Sequence, residues 1–337
     1  MPPPTGTDGG RLSEFDLIAE VFRPLARQDV AARDLEDDAA VLAIEPGHEL
    51  VTTIDALVAG VHFLETDDPA DIAWKALAVN LSDLAAMGAD ARAYVLAAAW
   101  PTSADRGWIE RFAVGLGEAQ DRFRVSLVGG DTVATPGPLT LAITAYGSLP
   151  AGTALPRGGA RPTDRVFVTG CIGDAALGLA LAMGNEMAAD ADTERALLTR
   201  LRRPEPRLDL GRRLRGLATA AADVSDGLVA DAGHIAAASG VAIDIEAARV
   251  PVSDAARVVL DANPGRLADL LTGGDDYELL FTAPADAEEA VLAAARDSMT
   301  AVTAIGAVTA RPASEVTVRD THGEPMPLAI TGYRHLD

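Results

Sequence analysis

The chain has 337 residues, of which 28 are lysine or arginine and 50 are aspartate or glutamate, so its formal net charge is −22. An apolar fraction of 49% is typical of a globular protein and not of a disordered one. At roughly 100–200 residues per domain, two domains are expected. The chain lacks the excess of cations that binds nucleic acid or anionic membrane surfaces, so neither is expected as a partner.

Single residues exclude further classes of protein. The one cysteine, Cys171, allows neither an intrachain disulfide nor a Cys-based zinc site, and we interpret it as a small buried residue. The one lysine, Lys75, precedes Ala76, which excludes a Walker A loop and the strand lysine of protein kinases. We interpret Lys75 as a solvent-facing charge. The absence of an apolar leader and of a run of about 18 apolar residues predicts a cytoplasmic protein without a membrane partner.

The N-terminal half is predicted to alternate helices and strands. Residues 1–12 are rich in proline and glycine and are expected to be disordered. The pattern then predicts a helix from Ser13, a strand that ends on Asp55, a helix over 69–88, a strand over 92–100, a helix over 104–120, a strand over 125–128 that runs into a turn at 129–131, and a strand over 139–149.

A second domain is predicted after the Pro/Gly-rich segment 150–162, which gives domains of 13–150 and 151–337. It begins with a strand, a glycine turn and a helix over 175–183, an arrangement typical of anion sites. The pattern further predicts helices at 193–203, 207–217, 225–240, 253–262 and 284–297, strands at 166–168, 241–245 and 301–308, and a hairpin at 315–330. This alternation indicates the mixed α/β (α+β) class.

Aspartate recurs in predicted turns or helix starts beside apolar segments. The six places hold Asp37/Asp38, Asp55, Asp83, Asp131, Asp223/Asp226 and Asp275/Asp276. Any one of them could simply bond nearby backbone amides, as aspartate does in turns and N-caps. Glycine pairs precede Asp131 and Asp275, however, and a cap needs no such pair. The pairs indicate that the backbone passes close to a bulky partner.

Convergence of these carboxylates would require cations between them, because their mutual repulsion would otherwise raise their pKa values. Mg²⁺ prefers oxygen ligands and is commonly held by a few carboxylates together with substrate phosphates. A nucleotide would approach so acidic a chain as its magnesium complex. Phosphoryl transfer fits such a site, since it needs positioning and charge neutralisation more than covalent chemistry.

Several residues keep two interpretations at this point. Asn80 and Asp83 share one helix face, which could be a pair of site residues or a solvated stripe. Ser225 could be a plain N-cap, while the helix that starts there would also offer free amides to anionic oxygens. His62 could be a packed or surface histidine or a site residue.

Five segments resemble a known family in order along the chain. They are TIDALVAGVHF at 53–63, KALAVNLSDLAAMGA at 75–89, GGDT at 129–132, DVSDGL at 223–228 and GDDYEL at 274–279. Together they closely resemble the thiamine-monophosphate kinases. The resemblance implies the two-domain fold of the aminoimidazole-ribonucleotide synthetase superfamily, a homodimer formed through the N-terminal sheet, and ATP in a cleft between the domains.

The resemblance also implies a reaction and its residues. ATP would phosphorylate thiamine monophosphate to thiamine diphosphate by direct in-line transfer, with several Mg²⁺ ions and no phosphoenzyme; the sequence leaves a need for K⁺ open. The magnesium ligands would be Asp38, Thr53, Asp55, Asp83, Asp131, Asp223 and Asp226. Contacts to ATP would come from Gly130, Asp131, Arg157 and Ser225, and contacts to thiamine phosphate from His62, Asp275 and Tyr333. Asp131 and Asp226 are expected to be essential for catalysis.

This chain departs from the family pattern at three positions. Glu36 stands where the family usually has glycine, and a glycine's freedom to adopt a positive φ is lost there. Ile54 replaces a threonine and can offer only its carbonyl to a metal. Asp275 replaces a glutamate and is one methylene shorter, so a water would fill the gap.

Three alternative functions remain open. Another ATP-dependent enzyme of the superfamily is the nearest, although its dehydratase and selenophosphate branches use terminal reactive cysteines that this chain lacks. A magnesium-dependent phosphatase could use the same carboxylates, and would release phosphate without nucleotide. A nucleotide sensor without activity would bind ATP and form no ADP.

Overall fold

The computed structural model describes residues 14–27, 29–310, 315–328 and 332–333, so the predicted disordered residues 1–12 lie outside the described part. The chain divides into two compact units. Unit 1 comprises Met1–Glu45, Thr52–Asn80 and Arg92–Tyr146, and unit 2 comprises Pro46–Val51, Leu81–Ala91 and Gly147–Asp337. The predicted boundary near residue 150 stays a prediction.

A four-stranded sheet in the order β1-β4-β2-β3 organises the N-terminal half. Its strands are β1 (His48–Val58), β2 (Asp90–Pro101), β3 (Ser126–Thr135) and β4 (Thr140–Pro150). The helices are α1 (Glu14–Leu17), which continues as a π-helical turn over Ile18–Phe22, α2 (Pro69–Ala86) and α3 (Arg106–Phe123). These elements confirm the predicted order. Two predicted strand ends are wrong, because Asp55 lies inside β1 and the predicted turn at 129–131 lies inside β3.

The side of the sheet that packs on α3 determines where Asp131 points. Trp100 of β2 packs edge-on against Trp108 and Phe112 of α3, with ring centroids 6.0 and 5.3 Å apart. β2 and β3 are parallel, and Ala97 is the register partner of Asp131. Because strand residues alternate between faces, Ala97 and Asp131 lie on the face opposite Trp100.

Unit 2 contains a six-stranded sheet in the order β10-β7-β9-β5-β8-β6. Its strands are β5 (Arg165–Thr169), β6 (Ala220–Asp223), β7 (Ala242–Glu246), β8 (Leu279–Ala283), β9 (Val302–Thr309) and β10 (Val316–Arg319). The helices are α4 (Asp174–Ala182), α5 (Ala191–Arg202), α6 (Leu208–Arg213), α7 (Leu228–Ser239), α8 (Asp254–Ala262), α9 (Leu267–Thr272) and α10 (Glu288–Asp297). The buried rings of Phe167 on β5 and Phe281 on β8 stack 5.2 Å apart in its core.

Local details of unit 2 correct three predictions. The helix expected from Ser225 begins at Leu228, and the helix expected over 207–217 is only Leu208–Arg213. The predicted hairpin at 315–330 is shorter than expected: β10 pairs in parallel with β7, and the following chain folds back on it in one antiparallel bridge between Arg319 and Pro325, where the N–H of Met326 donates to the carbonyl of Val318 at 2.8 Å. Gly240 ends α7 in a left-handed conformation, as predicted. No helix within the described residues has both the length and the apolar character to span a membrane.

Candidate functional site

A cavity of about 510 Å³ in unit 1 gathers several of the predicted site residues. Its polar lining includes Asp37 and Asp38 from one segment and Gly130, Asp131 and Thr132 from β3. The apolar lining comes from two N-terminal helical turns and from β2 and β3, and includes Phe22, Leu35, Val95 and Leu127. Acidic side chains therefore share one cavity with an apolar wall.

The glycine pair before Asp131 passes close to another strand of the same chain. A Cβ at Gly130 would lie 2.0 Å from the carbonyl oxygen of Leu96 on the neighbouring strand, whereas a Cβ at Gly129 would make only an ordinary contact at 3.5 Å. The expected close approach is therefore an approach to β2, and it concerns only the second glycine.

Asn80 connects α2 to β1 at Asp55. The backbone N–H of Asp55 donates to Asn80 Oδ1 at 3.0 Å, and Asn80 Nδ2 donates to the carbonyl of Ala76 at 3.0 Å. Asn80 is completely buried, so the solvated-stripe interpretation is wrong for it. Thr53 and Asp55 are half-buried and alternate with Ile54, which is exposed. Ile54, one of the three departures from the family pattern, therefore lies on the opposite face of β1 from Thr53 and Asp55.

His62 is held in a turn in which its tautomer is defined. The backbone N–H of Val58 donates to His62 Nδ1 at 3.0 Å, which leaves Nε2 as the protonated nitrogen of the neutral ring. Lys75 Nζ donates to the carbonyl of His62 at 3.0 Å. The interpretation of Lys75 as solvent-facing is wrong, because only 4% of it is exposed. His62 itself is half-buried.

In unit 2 the segment from Ser225 to Gly227 is organised by Asp231. The backbone N–H groups of Ser225, Asp226 and Gly227 donate to Asp231 Oδ2 at 3.1, 3.1 and 3.2 Å. Ser225 is therefore not the N-cap, and these amides are not free for anionic oxygens. Burial, followed by the charge of Asp226, raises the pKa of Asp231 to about 7.

Asp226 also belongs to a compact group of metal-binding residue types. Asp226, Asp231 and His234 each offer one ligand atom, and these atoms lie within 4.8 Å of one another. Sequence reasoning missed Asp231 and His234. The signal was their i, i+3 spacing on α7, which places them on one helix face directly after Asp226.

The loop over residues 273–277 packs on the same segment. The N–H of Asp275 donates to the carbonyl of Ser225 at 2.8 Å, and Tyr277 Oη donates to Asp275 Oδ1 at 3.0 Å. A Cβ at Gly274 would lie 2.2 Å from the Ser225 carbonyl oxygen, so this glycine pair, too, passes close to protein backbone. The N–H of Tyr333 donates to the carbonyl of Asp226 at 3.0 Å.

The structure thus assembles two groups of predicted residues, one within each unit. Asp38, Gly130 and Asp131 meet in unit 1, and Ser225, Asp226, Asp275 and Tyr333 meet in unit 2. Asp223 ends β6 two residues before Ser225 and is buried. Asp83 is half-buried on α2, and Arg157 is exposed in the loop that precedes β5.

The predicted anion site before α4 is filled by the protein itself. The N–H of Gly173 donates to Asp276 Oδ2 at 2.7 Å, and the N–H of Ala175 donates to Asp276 Oδ1 at 3.4 Å. The anion at this helix N-terminus is therefore a buried carboxylate of the chain. Cys171, expected to be buried, is half-buried, and burial raises the pKa of its thiol.

Comparison with known domain families defines the class of protein. Residues 36–149 match the N-terminal domain, and residues 161–319 the C-terminal domain, of AIR synthase related proteins. The chain is therefore an AIR synthase related protein with both domains of that class. This finding confirms the two-domain α/β fold implied by the resemblance.

Relatives over most of the length narrow the assignment. The thiamine-monophosphate kinase of Caulobacter vibrioides is 49% identical over 272 residues, which are 80% of this chain and 76% of the relative. The crystal structure of the thiamine-monophosphate kinase from Stenotrophomonas maltophilia is 42% identical with a TM-score of 0.83, covering 94% of this chain and 98% of that one. A structure of AaThiL complexed with AMPPCP and TMP is 30% identical with a TM-score of 0.76, covering 97% and 99%. The chain belongs to the thiamine-monophosphate kinase family.

Proposed function

We propose that this protein transfers the γ-phosphoryl group of ATP to thiamine monophosphate, giving thiamine diphosphate and ADP. Two kinds of observation support the proposal. The first is membership of a family that includes AaThiL. The structure of AaThiL, complexed with AMPPCP and TMP, matches this chain over nearly the full length of both chains. The second, which carries the argument from geometry, is the unit 1 cavity that joins Asp38, Gly130 and Asp131 to an apolar wall.

The cavity suits a nucleotide in size and lining. Its volume of about 510 Å³ lies within the range of roughly 300–1,000 Å³ that is usual for small-molecule sites. Apolar side chains such as Phe22 and Val95 would contact the base, while Asp38, Asp131 and the backbone of Gly130 would face the phosphates. The family resemblance also assigns ATP contacts to Ser225 and to exposed Arg157.

The donor set fits magnesium. Asp38 and Asp131 bring two carboxylates to one cavity, and their hard oxygens are the ligands that Mg²⁺ prefers. In unit 2, Asp226 stands beside a second carboxylate and an imidazole. The ions would be held by Asp38, Thr53, Asp55, Asp83, Asp131, Asp223 and Asp226. When bound, Mg²⁺ would neutralise phosphate charge that the net charge of −22 otherwise repels. A need for K⁺ and the cytoplasmic location stay predictions.

The side chains toward the acceptor have defined roles in this proposal. His62 would donate its Nε2–H to the phosphate of thiamine monophosphate, since its Nδ1 already accepts from Val58. Asp275 and Tyr333 would contact the same substrate. An oxygen of the acceptor phosphate attacks the γ-phosphorus, a new P–O bond forms, and the bond to the β-phosphate oxygen breaks to release ADP. No general base is needed, because a phosphate monoester is largely ionised near neutral pH.

The activity is tested by incubating the protein with ATP, Mg²⁺ and thiamine monophosphate and identifying the products by mass spectrometry. We expect thiamine diphosphate and ADP in equal amounts, and no product without Mg²⁺. Asp131→Asn and Asp226→Asn should abolish turnover, whereas Asp192→Asn, in an exposed ion pair with Arg195, should not. Phosphate release without nucleotide would indicate a phosphatase, and ATP binding without ADP formation would indicate a sensor.

We also infer that the chain forms a homodimer through its N-terminal sheet. β1 exposes 64% of Ile54, and β3 exposes 51% of Val133 on the face opposite Trp100. Apolar side chains exposed on a sheet face are typical of an interface. Sedimentation should show a dimer that Ile54→Asp dissociates and that Val258→Asp, a change at an exposed valine of α8, leaves intact. A monomeric wild-type protein would refute this inference.

A further inference from the structure

Residues 275–278 form a strained segment with alternating exposure. Asp275 and Tyr277 are half-buried, whereas Asp276 is 1% exposed and Glu278 is completely buried. The φ angles of Asp275 and Tyr277 are 71° and 50°, in the left-handed region that residues other than glycine seldom adopt. Such conformations cost on the order of 1–3 kcal/mol each and persist only where surrounding contacts enforce them.

Three sets of contacts enforce this conformation. The N–H groups of Asp275 and Tyr277 donate to the carbonyls of Ser225 and Val224, both at 2.8 Å. The carboxylate of Glu278 accepts from Arg200 and Arg207, which fixes the end of the segment. Between these two anchors, the side chain of Asp276 is bound to the backbone at the start of α4.

Asp276 makes two contacts at the middle of the segment: its backbone carbonyl accepts from Arg200 Nη2 at 3.4 Å, and its carboxylate is bonded to the start of α4. Its carboxylate accepts from Gly173 at 2.7 Å and from Ala175 at 3.4 Å, on the buried side of the chain. The adjacent Asp275 is half-buried, and Tyr277 Oη donates to its carboxylate at 3.0 Å. Without the inner bond, residues 275–277 could leave the left-handed region, and the Asp275 carboxylate would change direction.

We propose that Asp276 is a positioning residue for acceptor recognition: by bonding to the N-terminus of α4, it holds the Asp275 carboxylate in the direction that meets thiamine monophosphate. The inference rests on the proposed function, in which Asp275 contacts that substrate. It assigns separate roles to the two neighbouring aspartates. Asp275 binds the substrate, and Asp276 binds the scaffold.

The test compares Asp276→Ala with Asp174→Ala in the full-length protein. Asp174 is a matched control, because it is also a buried carboxylate at the start of α4, but it accepts from Ser253 at 2.6 Å and not from this segment. We expect Asp276→Ala to raise the KM for thiamine monophosphate about 10-fold, with the KM for ATP within about 2-fold of wild type. Asp174→Ala should change neither KM. If Asp276→Ala does not fold, Asp276→Asn, which keeps one acceptor oxygen, tests the same prediction with a smaller expected rise in the KM for thiamine monophosphate.

A double variant separates positioning from general stability. In an Asp275→Ala background, Asp276→Ala should add no further increase in the KM for thiamine monophosphate, because the group it positions is already gone. An additive effect, or an equal rise in both KM values, would overturn the positioning role. If Asp275→Ala raises this KM and the Asp276 variants do not, the inference fails and the proposed function stands. If Asp275→Ala leaves the KM unchanged, the proposed substrate contact fails, and the inference fails with it.

Discussion

Replacing Glu278 by glutamine should strongly destabilise unit 2. The Glu278 carboxylate is completely buried and accepts hydrogen bonds from Arg207 Nε at 2.7 Å, Arg200 Nη2 at 2.9 Å and Thr169 Oγ1 at 2.5 Å. Glutamine has nearly the same shape but no charge, and its amide group would direct donors at a guanidinium that also only donates. The variant therefore removes the buried counter-ion that the two guanidinium groups share.

The magnitude follows from the burial of the three partners. Removing one member of a buried ion pair costs about 3–5 kcal/mol, because the remaining charge is left uncompensated. The side chains of Arg200 and Arg207 are 23% and 22% exposed, so water can solvate them in part. We therefore expect a loss at the lower end of that range. A loss of about 3 kcal/mol in a domain of this size corresponds to a decrease in Tm of about 6–12 °C.

Heat unfolding followed by far-UV circular dichroism measures the effect, with Glu288→Gln as the matched control. Glu288 pairs with Arg165 at 3.1 Å in the same unit, but the side chains are 32% and 43% exposed, so its loss should cost at most about 1 kcal/mol. The fluorescence of Trp74, Trp100 and Trp108 reports unit 1 separately. If Glu278→Gln lowers Tm no more than Glu288→Gln does, the argument from buried charge is wrong.

Three further outcomes are expected. Gly130→Ala should destabilise unit 1 by about 1–3 kcal/mol, because its Cβ would overlap the Leu96 carbonyl. In the control Gly117→Ala on α3, the Cβ would lie 3.6 Å from Leu25 Cδ2, so that variant should not destabilise unit 1. Urea unfolding followed by tryptophan fluorescence measures both variants. Lys75→Met should raise the KM for thiamine monophosphate more than that for ATP, since it releases the His62 carbonyl; equal effects would contradict this. Burial raises the pKa of Asp276 above its ordinary value of 3.8, so above that pH the folded chain binds more protons than the unfolded chain. Asp276 therefore contributes a loss of stability as pH rises, up to about 1.4 kcal/mol per pH unit, and this contribution should be absent from Asp276→Asn.

Long periodic elements were predictable from the sequence because their signals are local. The apolar pattern and Pro69 predicted the helix found as α2, and Gly240 marked the end of α7. The strand through Asp131 was predicted too short, because Gly129 and Gly130 are typical of turns. The pairing of β3 with β2, a contact between distant segments, extends the strand through them.

The candidate site was predictable as a set of residue types and only partly as a geometry. The resemblance identified His62 and Asp275, but no local pattern indicated that Lys75 supports the His62 turn. A single lysine on a helix is usually a surface charge. Its burial depends on a loop thirteen residues earlier, and the partner of Asp276 lies 103 residues away. Contacts of this kind follow from the tertiary fold and leave no trace in local spacing.

Burial separates two kinds of aspartate that the sequence presents as one. Asp231 and Asp276 are buried and accept three and two backbone N–H groups, which is the turn-and-cap role common to aspartate. Asp38 and Asp131, by contrast, are exposed to a cavity. Asp38 and Asp131 face a cavity, whereas Asp276 is enclosed and bonded to the start of α4, so the exposed pair is the better candidate for metal ligands than Asp276. The two groups therefore predict different effects: variants of Asp38 and Asp131 should lower the affinity for Mg²⁺, and variants of Asp276 should change the KM for thiamine monophosphate and not the affinity for Mg²⁺.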